Sequence, residues 1–118
     1  MPQFVILSHN YPHLHWDLLI EEPGREMLRT WRLKRPPGSD AAVPAEALPD
    51  HRRMYLDYEG PISGGRGEVQ RWDFGEYEAL SETEDRIEIR LSGRRIAGDA
   101  VLTLQEGSQW TFQFTGSD

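Results

Sequence analysis

Three stretches in the last third of this chain alternate apolar and polar residues with a period of two. Ile87, Ile89 and Leu91 share a face with Glu88 and Arg90 opposite. Ala100, Leu102 and Leu104 repeat the pattern, and so do Trp110, Phe112 and Phe114. Ser92-Gly93 and Glu106-Gly107-Ser108 lie between them. That period belongs to strands with one buried face, and gaps this short join antiparallel neighbours as hairpins. Upstream, residues 4–8 form a short apolar run. Residues 13–21 alternate, with Leu14, Trp16 and Leu18 on one face and His13, His15, Asp17 and Leu19 on the other. Residues 26–33 follow the turn Pro23-Gly24, and residues 54–58 read as a strand closed by Gly60-Pro61. Gly64, Gly65 and Gly67 mark a tight loop before a strand at residues 68–74. Residues 36–50 hold Pro36, Pro37, Pro44 and Pro49, and read as a loop with at most one short helical turn near Ala45-Glu46-Ala47-Leu48. Nothing keeps a helical period over three turns. About eight short, mostly antiparallel strands predict an all-β fold, a compact closed or partly open barrel.

At 118 residues the chain is expected to form one domain over residues 1–118. An apolar content of 37% with 10% aromatic residues excludes a disordered tail. No apolar run approaches the ~20 residues of a membrane helix, so no membrane partner is expected. Cysteine is absent, which removes disulfides, thiolate metal sites and a thiol nucleophile. The first residues lack the basic start and apolar stretch of a secretory signal, and the chain reads as a cytoplasmic monomer. Its net charge of −7 opposes general nucleic-acid coating, yet the average hides an asymmetry. Glu76, Glu78, Glu82, Glu84, Asp85 and Glu88 face the single base Arg86 over residues 76–88. Arg25, Arg29, Arg32, Lys34 and Arg35 face the single acid Glu26 over residues 25–35. A local basic stretch can hold an anion while a remote acidic loop sets the net charge.

Chemistry concentrates in His9-Asn10-Tyr11-Pro12-His13-Leu14-His15-Trp16-Asp17. On a strand His15 and Asp17 leave the same face, and Pro12 turns the chain so that His9 folds back towards them. Imidazole nitrogen and carboxylate oxygen suit Mn²⁺, Fe²⁺ or Zn²⁺, and three protein ligands leave positions open for water or substrate. The same residue types are also ordinary on an exposed strand face. His51 and Tyr55 stand four residues apart, either able to donate to a phosphoryl oxygen, with His51 able to protonate a leaving oxygen near neutral pH. Tyr55 equally suits a core position with its hydroxyl satisfied. Gly64-Gly65-Arg66-Gly67 lacks the spacing of a phosphate loop and reads as a turn. Trp16, Trp31, Trp72 and Trp110 read as core or barrel wall.

Taken together, these residues resemble the 3′-phosphoesterase domain of bacterial DNA ligase D, which also occurs as a stand-alone protein. The family opens with F-V-x-x-x-H, then H-x-D-x-R-L-E, and Phe4, Val5, His9, His15, Asp17 and Glu21 stand at the matching places. Gly24, Thr30, Trp31 and Arg35 meet its D-G-x-x-x-S-W-x-x-x-K block. Asp50, His51, Tyr55, Tyr58, Glu59 and Gly60 meet D-H-P-x-x-Y-x-x-F-E-G. Ile62, Gly65, Trp72, Asp73, Gly75 and Tyr77 follow, then Leu91, Gly93, Gly98, Leu102 and Trp110. The resemblance implies a β-barrel with a surface groove that binds Mn²⁺, with Zn²⁺ or Co²⁺ as substitutes, and heals nucleic-acid 3′ ends by removing a 3′-ribonucleoside and then the 3′-phosphate. It implies His9, His15 and Asp17 as metal ligands, His51 and Tyr55 as phosphate contacts, Arg35 in place of a basic Lys, and Glu21 as a residue orienting a ligating histidine. DNA or RNA-tipped DNA ends would be the substrate, with a separately encoded ligase or polymerase as partner.

The chain also departs from the family. Leu19 stands where an Arg normally engages the phosphate, a second family Arg falls near Val43, and the Pro after the family His is Arg52. Losing one arginine–phosphate pair removes about 1.5–3 kcal/mol, so Leu19→Arg is predicted to raise activity several-fold, unless Arg52, Arg53 or Arg66 compensates. Leu19 and the acidic net charge leave two alternatives: a catalytically weakened barrel that binds a metal, a nucleic-acid end or a protein, and a phosphoesterase for a small metabolite.

Overall fold

The structure, a computed structural model, describes residues 2–116. Nine strands follow in chain order: β1 (Gln3–His9), β2 (His15–Ile20), β3 (Leu28–Leu33), β4 (Val43–His51), β5 (Gly60–Pro61), β6 (Glu68–Glu82), β7 (Arg86–Gly93), β8 (Ala97–Glu106) and β9 (Gln109–Gly116). They form one antiparallel sheet in the order β1-β2-β3-β4-β9-β8-β7-β6-β5, and pairing of β1 with β6 closes it. The result is the expected all-β architecture, a closed barrel of eight strands with β5 outside it. Closure leaves the barrel strands no free edge to template aggregation.

The inward faces follow the alternation. Ile87, Ile89, Leu91, Ala100, Leu102, Phe112 and Phe114 meet Phe4, Ile6, Leu18, Ile20 and Trp31 in the barrel core. Full burial of each large side chain contributes roughly 1.5–3 kcal/mol. Trp31 and Trp110 pack edge to face with centroids 5.8 Å apart, while Trp16 and Trp72 flank the core half-buried. Asp73 is buried, and its carboxylate accepts from the backbone N–H groups of Phe74, Arg94, Arg95 and Ile96 at 2.8–2.9 Å. One charge thereby fixes the turn between β7 and β8 and satisfies donors the ladder leaves over.

A second apolar cluster lies on the barrel's outer surface. Val5 and Leu7 of β1, Leu19 of β2, Leu28 of β3 and Val69 of β6 all point outward and are roofed by Leu56. This corrects the reading of residues 54–58 as a strand, because Arg53–Leu56 is a 3₁₀ turn. Its backbone bonds run from Tyr55 N to Arg52 O and from Asp57 N to Met54 O, both 3.1 Å. Residues 36–50 also differ from expectation, since Val43–His51 is strand β4 rather than a loop with a helical turn. Val43 and Ala45 enter the core while Pro44 stays exposed. Pro49 sits where the β3–β4 register slips, between the pairs Thr30–Leu48 and Leu28–His51, and a bulge tolerates a residue without an N–H. The strand expected at residues 68–74 runs on to Glu82, long enough for β6 to pair with β1, β5 and β7.

Candidate active site

The outer face of β1 and β2 carries both the second apolar cluster and the polar site. Register pairs Val5 with Leu19, Leu7 with Asp17 and His9 with His15. The ladder is apolar at one end and ends in two imidazoles and a carboxylate at the other. His9, His15 and Asp17 bring one ligand atom each to within 4.8 Å of one another. The His9 and His15 rings lie edge to face at 4.9 Å.

Backbone carbonyls fix both imidazoles. A carbonyl only accepts, so the ring nitrogen facing it carries the proton. His15 Nδ1 donates to His13 O at 2.9 Å, which in the neutral ring leaves Nε2 with a lone pair. That atom lies 3.4 Å from Asp17 Oδ2. His9 Nε2 donates to Arg66 O at 2.8 Å and leaves Nδ1 as its acceptor. His15 Nε2 and Asp17 Oδ1 are buried with no hydrogen-bond partner among the described residues. Electron-rich atoms gathered this way suit a cation between them. A proton could join one pair, whereas three such groups match a divalent metal ion held by two nitrogens and an oxygen. Donation of the second ring nitrogen to a carbonyl is the support that ligating histidines require.

The loop that supplies Arg66 O is built for close approach. Gly67 has φ +73°, and a Cβ there would meet Asn10 Oδ1 and Tyr11 Cβ. Asn10 Oδ1 in turn accepts from Glu68 N at 2.8 Å. The glycine-rich segment is the expected turn, and its carbonyl also orients His9.

His9 and Asp17 open onto a cleft of about 300 Å³, and His15 borders a neighbouring one of about 230 Å³. Arg32, His51 and Tyr55 line the first of these with them, as do Tyr11, Ile62 and Arg66. His51 closes β4 just past the bulge, where its Nδ1 donates to Pro49 O at 2.9 Å, leaving Nε2 as the available ring nitrogen. The His51 and Tyr55 rings meet edge to face at 6.0 Å, and the Tyr55 hydroxyl has no protein hydrogen bond among the described residues.

A model of the DNA ligase D 3′-phosphoesterase domain matches residues 7–104. The chain belongs to this phosphoesterase-domain family. It is also 28% identical over 122 aligned positions to the multifunctional non-homologous end joining protein LigD of Mycolicibacterium smegmatis, covering 92% of this chain and 16% of that protein. Not every residue carried over from the phosphoesterase-domain resemblance reaches the cleft. Arg35 is exposed and outside its lining. Glu21 lies at the opposite end of β2, where its carboxylate pairs with Arg53 and accepts from Gln3 N at 3.0 Å, away from His9 and His15. Leu19, the position of the phosphoesterase family's arginine, is fully buried among Val5, Leu7, Leu28 and Leu56. Sequence reasoning passed over Arg32 as a site residue, although Trp31 and Leu33 turning inward already forced it outward beside Asp17.

Proposed function

We propose that this protein is a divalent-metal-dependent phosphoesterase acting on nucleic-acid 3′ ends, removing a terminal 3′-phosphate or 3′-ribonucleotide to leave a 3′-hydroxyl. The observation that carries the reading is the pair of buried, unpartnered atoms, His15 Nε2 and Asp17 Oδ1, grouped with His9 at the edge of a cleft faced by His51 and Tyr55. His9, His15 and Asp17 would hold the metal, with Mn²⁺ preferred and Zn²⁺ or Co²⁺ as substitutes. When bound, it would polarise a phosphoryl oxygen and offset charge developing in the transition state.

The chain's own groups do the rest. The Tyr55 hydroxyl donates to a non-bridging phosphoryl oxygen. His51, oriented through Nδ1 by Pro49 O, presents Nε2 to the same group. As a water oxygen forms the new bond to phosphorus and gives its proton to solvent, the bond to the 3′-oxygen breaks and protonated His51 delivers a proton to that leaving oxygen. Leu7, Ile62 and Val69 give the cleft an apolar floor beside these polar groups. Tyr11, 44% exposed at the rim, offers a ring face on which a terminal base can stack, which favours a nucleic-acid end over a small phosphorylated metabolite.

The test is incubation with Mn²⁺ and a primer-template ending in a 3′-phosphate or a single 3′-ribonucleotide. The parent is expected to yield the 3′-hydroxyl product, and His15→Ala and Asp17→Ala each to lose more than about a hundredfold in rate. A parent that binds Mn²⁺ but leaves both ends intact would refute the enzyme and favour a binding module.

A further inference from the structure

The position at which the family resemblance puts a phosphate-binding arginine holds Leu19, fully buried under the Leu56 roof, so the guanidinium is missing from β2. The neighbouring strand supplies one. Arg32 is the direct cross-strand partner of Asp17 in the β2–β3 ladder and lines the same cleft as His51 and Tyr55. Its Nε is buried without a hydrogen-bond partner and stands 3.9 Å from Asp17 Oδ1, too far for a hydrogen bond. A guanidinium held beside a carboxylate without engaging it bidentately keeps its fork for another anion. Arg32 is also the wall shared with a second cleft of about 230 Å³ bordered by His13, His15 and Lys34, so it faces space on both sides.

We infer that Arg32 grips the substrate phosphoryl group, a role moved from β2 to β3 and performed by a residue that the family's motif does not assign. This deepens the phosphoesterase reading and rests on it for the identity of the phosphate donor, although the anion site itself can be tested without turnover. The geometry has a second consequence. A cation beside Asp17 opposes metal binding until an anion arrives, so phosphate and metal are expected to favour each other's binding through Arg32.

The test is calorimetric titration of inorganic phosphate into the full chain, with and without Mn²⁺, for the parent, Arg32→Ala, Arg32→Lys and Arg90→Ala. Arg90 pairs with Asp99 on another side of the barrel and controls for net charge. Arg32→Ala is expected to weaken phosphate binding about tenfold or more and to tighten Mn²⁺ binding several-fold. Arg32→Lys should recover only part of the phosphate affinity, because an ammonium lacks the planar fork, and Arg90→Ala should change neither. Near-UV circular dichroism of the Trp31–Trp110 pair checks that each variant is folded, and Arg32→Lys keeps the question answerable should Arg32→Ala not fold. Phosphate binding equal in parent and folded Arg32 variants overturns the inference, as does a parent that binds no phosphate. Arg32-dependent phosphate binding without cleavage of any 3′ end would uphold the inference and sink the phosphoesterase reading.

Discussion

Leu19 shows how one side chain's surroundings decide what a substitution does. Supplying the family's arginine there looks from the sequence like a repair, but the leucine is sealed against Val5, Leu7, Leu28 and Leu56. Leu19→Arg would bury a cation with no carboxylate partner, and is expected to lower stability by more than about 3 kcal/mol in urea unfolding rather than raise activity. Tyr77 gives a second residue-scale prediction. Burial, followed by the charges of Glu22, Glu21 and Glu82, pushes its phenol up to about 12 from 10.0, and its hydroxyl donates to Glu21 O at 2.6 Å. The folded state therefore retains the proton after the unfolded chain has lost it. Stability contributed by the neutral phenol is present below pH 10 and falls between about pH 10 and 12, by roughly 2–3 kcal/mol over the interval. Tyr77→Phe should remove that alkaline component of the unfolding free energy while costing about 1 kcal/mol at neutral pH. At this scale the sequence exposed His15 and Asp17 through strand alternation alone. The carbonyls of His13 and Arg66, which set the tautomers, are backbone groups and leave no mark in a residue pattern.

Between residues and molecule stand the pieces that aim the site. Strand β4 hid behind its prolines, because Pro44 and Pro49 argue against a strand unless one foresees that the first is exposed and the second sits in a bulge. The 3₁₀ turn was invisible for the complementary reason: Met54-Tyr55-Leu56 has strand-like composition, but only Leu56 is buried there. Its apolar anchor fits any local geometry that brings it onto the outer cluster. The turn of residues 64–67 was legible from its glycines, whereas its service to His9 required knowing that β1 and β6 are paired. Gly67→Ala tests that service. With φ +73° and Asn10 and Tyr11 in the way, the variant is expected to lose about 1–2 kcal/mol of stability and, by displacing Arg66 O, to weaken Mn²⁺ binding about tenfold or more, read by calorimetry.

Viewed as a whole, the barrel separates its charges. The β6–β7 hairpin carries Glu82, Glu84 and Asp85, while the opposite end of β6 pairs Val69 with His9 beside the cleft. Net charge of −7 is thus compatible with an anion site, although a modest one, since Arg32 and Lys34 flank the imidazoles while the Arg66 guanidinium in the cleft already donates to Ser63. About two phosphate contacts on a single-stranded end give a slope near −1.4 of log affinity against log salt, so affinity should fall about sevenfold between 50 and 200 mM salt. Fluorescence anisotropy with a labelled 3′-phosphorylated oligonucleotide reads this directly, and a slope of −4 or steeper would point to a longer basic track. The eightfold closure itself could be anticipated from repeated two-residue periods, but the order of strands around it, with β4 meeting β9, could not.

The two sides of β2 have opposite duties. Trp16, Leu18 and Ile20 supply hydrophobic mass within, while His15 and Asp17 supply the polar groups of the proposed metal site without. Because adjacent positions alternate sides, losing or gaining a single codon inside His15–Ile20 would exchange the two sets at once, driving an imidazole and a carboxylate into the oily centre and turning leucines out to water. Insertions and deletions are therefore expected to be tolerated in the connecting segments and not inside this strand.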